Sequence, residues 1–146
     1  MILTLRGSEA FVKTILVVEE DDAVRGLVRA ILEGAGYGVL EAAGGEAGID
    51  LARCGAADAL VLDCMGTRGE GIENLRRLRG EAGTAHLPVI ALCGLGQSGA
   101  EVGLWANALV VKPFRPAQLL LKIEMTLASK VAAHAEMNPL QPLASA

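Results

Sequence analysis

The stretch Asp58-Ala59-Leu60-Val61-Leu62-Asp63 decides the fold. Its apolar run is too short for an ordinary helix, and it has the unbroken apolar character of a strand that is buried on both faces. Asp63 ends this strand, and a glycine-bearing loop follows it. In an open parallel sheet, ligands bind just beyond the carboxyl ends of the strands. Asp63 therefore lies where chemistry is expected.

Composition limits the class of protein. The 146 residues suit a single domain, and with 52% hydrophobic but only 3% aromatic residues the core is mostly aliphatic. The net charge of −4 argues against a nucleic-acid surface, and no apolar run is long enough to span a membrane. The three cysteines form no CxxC pair, and the two histidines lie too far apart for a zinc site. These features predict a reduced, cytoplasmic protein.

Strands and helices alternate along the whole chain. A helix with an apolar stripe from Val24 to Leu32 follows the first strand, and Asp21 or Asp22 can cap its start. Right-handed crossovers then place helices on both faces of one parallel sheet, an α/β doubly wound fold with no second domain. We expect a lead-in over 1–12, the folded domain over 13–133 and a flexible tail over 134–146. The predicted strands are 14–18, 37–41, one that ends at Asp63, 87–92 and 108–111.

Further predictions concern helix formation in two later segments. The segment 94–104 holds four glycines and would make a poor helix. In the helix before it, Leu75 and Leu78 face inward, and Arg76, Arg77 and Arg79 are predicted to be solvated.

Charged residues follow three of the predicted strands: Glu19 and Glu20 after the first, Asp63 after the third and Lys112 after the fifth. Carboxylates gathered in one pocket repel one another unless a cation intervenes. Mg²⁺ is commonly held by one or two carboxylates together with waters and a phosphate, and a lysine supplies a compact charge for a phosphoryl oxygen. The pattern predicts phosphoryl chemistry with an aspartate as nucleophile.

At this point the chain resembles a response-regulator receiver domain, the phosphoacceptor part of a two-component system, over roughly residues 13–130. The resemblance implies a flavodoxin-like sheet with strand order 2-1-3-4-5. No single motif is specific, but their order and spacing are. The motifs are Ile15–Asp21 with Arg25 further on, Leu60–Asp63, Gly71, Leu87–Leu92 and Val111–Phe114.

The resemblance assigns roles to individual residues. Asp63 would accept the phosphoryl group from a sensor histidine kinase or a histidine phosphotransfer protein, and Lys112 would pair with a phosphoryl oxygen. Glu20, with Glu19 acting through water, would hold Mg²⁺ together with Asp63 and the backbone carbonyl of Met65. Such a domain signals to a downstream protein and is no enzyme beyond its own phosphotransfer and dephosphorylation. The Lys112-Pro113 bond would be cis.

Departures from the family pattern affect the signalling residues. Cys93 stands where the fourth strand of receivers ends in Thr or Ser, and a thiol is a weak donor. Leu109 replaces the usual aromatic switch residue. Glu20 is one methylene longer than the usual Asp, and Thr67 replaces a proline. The face formed by the fourth helix, fifth strand and fifth helix, the usual output surface, is a possible homodimer interface.

Other functions fit less well. A dinucleotide-binding fold needs a glycine-rich turn after the first strand, where this chain has four acids. A haloacid-dehalogenase-type phosphatase needs a second aspartate two residues after Asp63, and that residue is Met65. Taken singly, Asp63 could be a helix cap, Lys112 a surface lysine and Cys93 a small core filler. The serious rival is a degenerate pseudo-receiver, a protein-binding module that is never phosphorylated.

Overall fold

The computed structural model describes residues 12–64, 70–95 and 99–129. Strands and helices alternate throughout, as the sequence predicts. The strands are β1 (Thr14–Val18), β2 (Gly38–Ala42), β3 (Ala59–Asp63), β4 (Val89–Cys93) and β5 (Ala108–Val111). The helices are α1 (Asp22–Gly34), α2 (Gly45–Arg53), α3 (Glu70–Gly80), α4 (Gly99–Gly103) and α5 (116–129).

All five strands are parallel, in the order β2-β1-β3-β4-β5. This confirms the predicted fold class and strand order. β3 lies in the middle, paired with β1 through Val18↔Leu62 and with β4 through Asp63↔Leu92. The carboxyl ends of β1, β3 and β4 therefore meet along one edge of the sheet.

The sheet is buried on both faces because successive side chains of a strand point to opposite sides. Leu16 and Val18 of β1 belong to one apolar cluster, whereas Ile15 and Val17 belong to the other. Helices α2, α3 and α4 cover the first face, and α1 and α5 cover the second. Two-sided burial explains why β1 and β3 are apolar at almost every position.

Element boundaries differ from the sequence prediction by at most two residues, the usual uncertainty of such boundaries. In the described part of the glycine-rich segment 94–104, helix α4 covers Gly99–Gly103, and Val102 within it is completely buried. The expectation of a poor helix stays a prediction, because residues 96–98 lie outside the described residues. Residues 1–11 of the predicted lead-in, residues 130–133 of the predicted domain and the predicted tail lie outside the described residues, so the domain boundaries stay predictions.

Arg79 was wrongly predicted to be solvated. Its guanidinium donates to the backbone carbonyls of Trp105 (2.8 Å), Ala85 (3.0 Å) and Leu87 (2.6 Å), and to Oδ1 of Asn107 (2.8 Å). Partial burial lowers the pKa of Arg79. The side chain thus joins the end of α3 to the segments that lead into β4 and β5.

In the described ranges, none of the helices combines the length and the apolar character needed to cross a bilayer.

Helix α3 approaches the end of β3 so closely that only glycine fits at position 71. A Cβ at Gly71 would stand 2.5 Å from Cα of Cys64 and 3.0 Å from the carbonyl oxygen of Asp63. We expect Gly71→Ala to lower the free energy of unfolding by about 1–3 kcal/mol, because backbone atoms must move to admit the methyl group. Urea unfolding measures it. Gly80→Ala is the matched control in the same helix, since a Cβ there meets nothing within 4 Å. Equal unfolding midpoints for the two variants would contradict the prediction.

Candidate functional site

Three charged side chains meet at the carboxyl edge of the sheet, each delivered by a different strand. Lys112 Nζ lies 2.8 Å from Glu19 Oε1 and 3.4 Å from Asp63 Oδ1. Asp63 and Lys112 keep 18% and 19% of their side chains exposed, whereas Glu19 keeps only 1%. The structure therefore brings together three of the predicted residues, and the lysine sits closer to the buried glutamate than to the aspartate.

Local backbone hydrogen bonds hold these residues in place. The amide of Glu19 donates to the carbonyl of Ala42 at 3.0 Å, and the amide of Lys112 donates to the carbonyl of Cys93 at 2.7 Å. Each bond extends the ladder of the neighbouring strand by one residue past the strand end. The carboxylates and the ammonium group therefore project from positions that the sheet itself fixes.

The charges in this cluster are coupled. Burial, reinforced by the neighbouring carboxyl group of Asp63, raises the pKa of Glu19 from 4.5 to about 7, although Lys112 acts against the shift. Burial by itself would lower the pKa of Lys112, but the contacts with Glu19 and Asp63 outweigh it and raise that pKa. The lysine thus stays charged, and one buried carboxyl group titrates close to neutral pH.

A cleft of about 300 Å³ opens beside Glu19 and Asp63. Glu19, Glu20 and Asp63 line one side of it, and Glu20 is exposed. The opposite wall is formed by polar residues of α3, which are not among the predicted site residues. Its spacing of i, i+4 and i+7 is the signal that could have shown it, since such residues share one face of a helix. The residues of this wall are Glu70, Asn74 and Arg77.

These residues suit a hard divalent cation. Oε2 of Glu19 is buried and has no hydrogen-bond partner among the described residues, and a cation beside the Glu19 and Asp63 carboxylates would relieve both this and their repulsion. Within the described ranges, no group of three or more His, Cys, Asp or Glu side chains is placed so that it could hold a metal ion by itself. Mg²⁺ does not require a closed cage, because it keeps several of its waters. The predicted carbonyl ligand, Met65, lies outside the described residues.

Cys93 is in the predicted place but is not open to the cleft. It ends β4 and is 3% exposed, and its side chain packs in the core cluster with Cys64 and Val102. Burial, with a smaller contribution from the charge of Asp63, raises the pKa of the Cys93 thiol. The thiol is therefore neutral, close enough to Asp63 to feel its charge, and buried rather than reactive.

The comparisons with known proteins agree with this geometry. The family profile described as response regulator receiver domain matches residues 15–124. The phosphate regulon transcriptional regulatory protein PhoB of Pseudomonas aeruginosa is 33% identical over 120 residues, which cover 79% of this chain and 52% of PhoB. The chain thus spans about half the length of this relative.

Two solved structures are similar in fold and sequence. A response regulator receiver domain protein from Methanospirillum hungatei has a TM-score of 0.74 and 26% identity, covering 84% of this chain and 98% of that one. The receiver domain of the sensor histidine kinase PA1611 from Pseudomonas aeruginosa has a TM-score of 0.73 and 25% identity, covering 80% and 98%. The latter structure has a magnesium ion coordinated in its active-site cleft.

The raised pKa of Glu19 makes stability depend on pH. The folded state binds this proton more tightly than the unfolded chain does, so the stabilisation is complete below about pH 4.5 and is lost as the pH rises through about 7. We expect the free energy of unfolding, measured in EDTA, to fall by roughly 2–3 kcal/mol between about pH 5 and pH 8 relative to Glu19→Gln. Glu73→Gln, which alters an exposed carboxylate, should keep the wild-type profile. Parallel profiles for wild type and Glu19→Gln would contradict the raised pKa.

Proposed function

Because the chain belongs to the response-regulator receiver family, we propose that Asp63 accepts a phosphoryl group from a histidine kinase or a histidine phosphotransfer protein. The observation that carries the proposal is the contact of Lys112 with both Glu19 and Asp63 at the edge of the sheet. A lone strand-end aspartate would need neither a buried glutamate nor a lysine beside it. Which kinase and which downstream target are recognised is a property of the whole protein and not of this site alone.

The proposed step is a phosphoryl transfer between side chains. A carboxylate oxygen of Asp63 forms a bond to phosphorus while the P–N bond to the donor imidazole breaks, and the imidazole leaves with the bonding electron pair. Lys112 would move from its Glu19 contact towards the incoming phosphoryl oxygens, whose charge it neutralises. Mg²⁺, when held by Glu19, Glu20 and Asp63, would supply further positive charge for the same oxygens. The chain is then a signalling domain that catalyses at most its own modification.

The rival function is a pseudo-receiver that binds proteins without phosphorylation. The residues that favour it are Cys93 and Leu109, which differ from the usual receiver residues at these positions. Neither residue belongs to the cluster that would carry the transfer. Glu19, Asp63 and Lys112 keep the charges and the proximity that a phosphoacceptor needs. This supports a working acceptor with a modified output.

The output face proposed for this domain is formed by α4, β5 and α5. A groove of about 350 Å³ runs there, and the apolar side chains of Leu95, Leu121 and Met125 are 80%, 55% and 56% exposed. Leu109 of β5 is partly buried and lies close to α4. A Cβ added at Gly99 of α4 would stand only 3.3 Å from Cδ1 of Leu109. A homodimer through this face, the absence of nucleic-acid binding and a cytoplasmic location stay predictions.

Phosphorylation should occur at Asp63 alone. We expect incubation with acetyl phosphate and Mg²⁺ to add one phosphoryl mass that is labile to hydroxylamine, as an acyl phosphate is. Asp63→Asn should abolish the mass gain, because an amide is not a nucleophile at this site. Asp50→Asn, at a largely exposed carboxylate of α2, is the control and should label as wild type does. Intact-protein mass spectrometry measures the outcome, and equal labelling of Asp63→Asn and wild type would refute the acceptor assignment.

The response to phosphorylation should be centred on the end of β4. Less differential binding energy is available from a thiol than from a hydroxyl, and Leu109 has no ring to reorient. With beryllofluoride bound at Asp63, we expect amide chemical shifts to change mainly near Cys93 and Gly94, and Cys93→Thr to enlarge the response.

Cys54→Thr makes the same chemical change at an exposed cysteine and should leave the response as it is. Large shifts across 108–125 in the wild-type protein would show that coupling to β5 and α5 is intact, contrary to this prediction.

A further inference from the structure

Arg25 of α1 reaches back to the loop that carries the two acids. Its Nη1 donates to the backbone carbonyl of Glu19 at 2.8 Å, and its Nη2 and Nε contact Asp22 at 2.7 Å and Glu41 at 3.3 Å. The Arg25 side chain is only 18% exposed. Three positions of one planar guanidinium are thus occupied by three different acceptors.

These contacts complete the anchoring of Glu19. Its amide is held by the carbonyl of Ala42 at 3.0 Å, and its carbonyl is held by Arg25. Because the peptide unit is planar, fixing the Glu19 carbonyl also fixes the amide and the Cα of Glu20. Glu20 is exposed and makes no contact of its own that could set its direction among those the structure gives for the described residues. Its orientation towards the cleft therefore depends on the peptide that Arg25 holds.

Glu41 anchors the arginine in turn. It lies on β2, directly beside Val17 of β1, and one carboxylate oxygen accepts from Arg25 while the other accepts from Arg29. The arginine fork fits this geometry because its donors point in fixed, diverging directions, which an ammonium group cannot reproduce. Arg29 shares Glu41 with Arg25, but its contacts are with Glu33 and Glu41 rather than with the acidic loop.

We propose that Arg25 is a positioning residue for the divalent-cation site, which it shapes by holding the Glu19–Glu20 peptide without touching the cation. The proposal rests on the proposed function, since it assumes that Glu19, Glu20 and Asp63 hold Mg²⁺. The predicted effect of replacing Arg25 on Mg²⁺ affinity is opposite in sign to the effect expected from the loss of its charge alone. Removing a positive charge near an acidic site should strengthen cation binding, whereas loosening the peptide that orients the ligands should weaken it.

The test compares Arg25→Gln with Arg29→Gln, which removes the same charge from the same helix and from the same partner, Glu41. Mg²⁺ affinity is measured by titrating amide resonances of the metal-free protein. We expect Arg25→Gln to raise the Kd for Mg²⁺ about tenfold, as loss of an outer partner of metal ligands commonly does. Arg29→Gln should leave the Kd unchanged or lower it slightly.

Phosphorylation rates distinguish positioning of the cation site from damage to the acceptor. With acetyl phosphate as donor, Arg25→Gln should need more Mg²⁺ for half-maximal rate yet reach nearly the wild-type rate at saturation. Arg25→Lys should recover only part of the affinity, since a lysine can reach one acceptor but not all three. Should Arg25→Gln fail to fold, Glu41→Gln carries the test, because it frees the arginine without removing it and should raise the Kd in the same direction.

The outcomes separate the two proposals. An Arg25→Gln variant with wild-type or tighter Mg²⁺ binding, beside a wild-type protein that binds Mg²⁺ and is phosphorylated, overturns the positioning proposal alone. Equal weakening in Arg25→Gln and Arg29→Gln also overturns it. A wild-type protein that neither binds Mg²⁺ nor is phosphorylated overturns the proposed function, and the positioning proposal with it.

Discussion

The contact of Lys112 with the carboxylates of Glu19 and Asp63 is the interaction on which the candidate site depends. Glu19 is almost fully enclosed, and an enclosed carboxylate is costly unless a cation or a proton neutralises it. Lys112 supplies that cation from the end of β5, across the ends of β4 and of β3, which carries Asp63. Because β3 and β4 lie between β1 and β5, the long lysine side chain must reach across the strand ends, and the arrangement depends on the strand order of the parallel sheet.

The sheet holds the charged side chains in fixed positions because its strands are tightly packed close to the site. Its strands are enclosed by helices on both faces, so the positions of their ends follow from packing in two separate cores. Each charged residue lies one step past, or at the end of, such a strand. The positions of the charged side chains are thus set largely by the packing of apolar side chains in the two cores.

Much of this could be predicted from the sequence. The unbroken apolar runs of β1 and β3 identify buried parallel strands, and the rule that strand ends converge then brings Glu19, Asp63 and Lys112 together. What sequence reasoning missed depends on side chains that reach across long separations. Nothing near Arg79 indicates that its guanidinium finds four acceptors in later segments, and nothing near Lys112 indicates that Glu19 is its nearer partner. Such pairings are decided by packing distances of a few ångströms, which hydrophobic patterning does not specify.

The contacts of Arg79 have a consequence for local unfolding. They lie at the amino-terminal edge of the sheet, where the carbonyls before β4 and the segment before β5 converge, and Asn107 adds a second link by accepting from the amide of Val89. Opening any one of these segments would break bonds in the others, so we expect them to open as one cooperative unit. The opposite edge, where Asp63 lies, is instead held by contacts between charged side chains, Lys112 with Glu19 and Asp63. A change of charge at Asp63 therefore alters the contacts at this edge directly, whereas the bonds made by Arg79 involve none of these three residues.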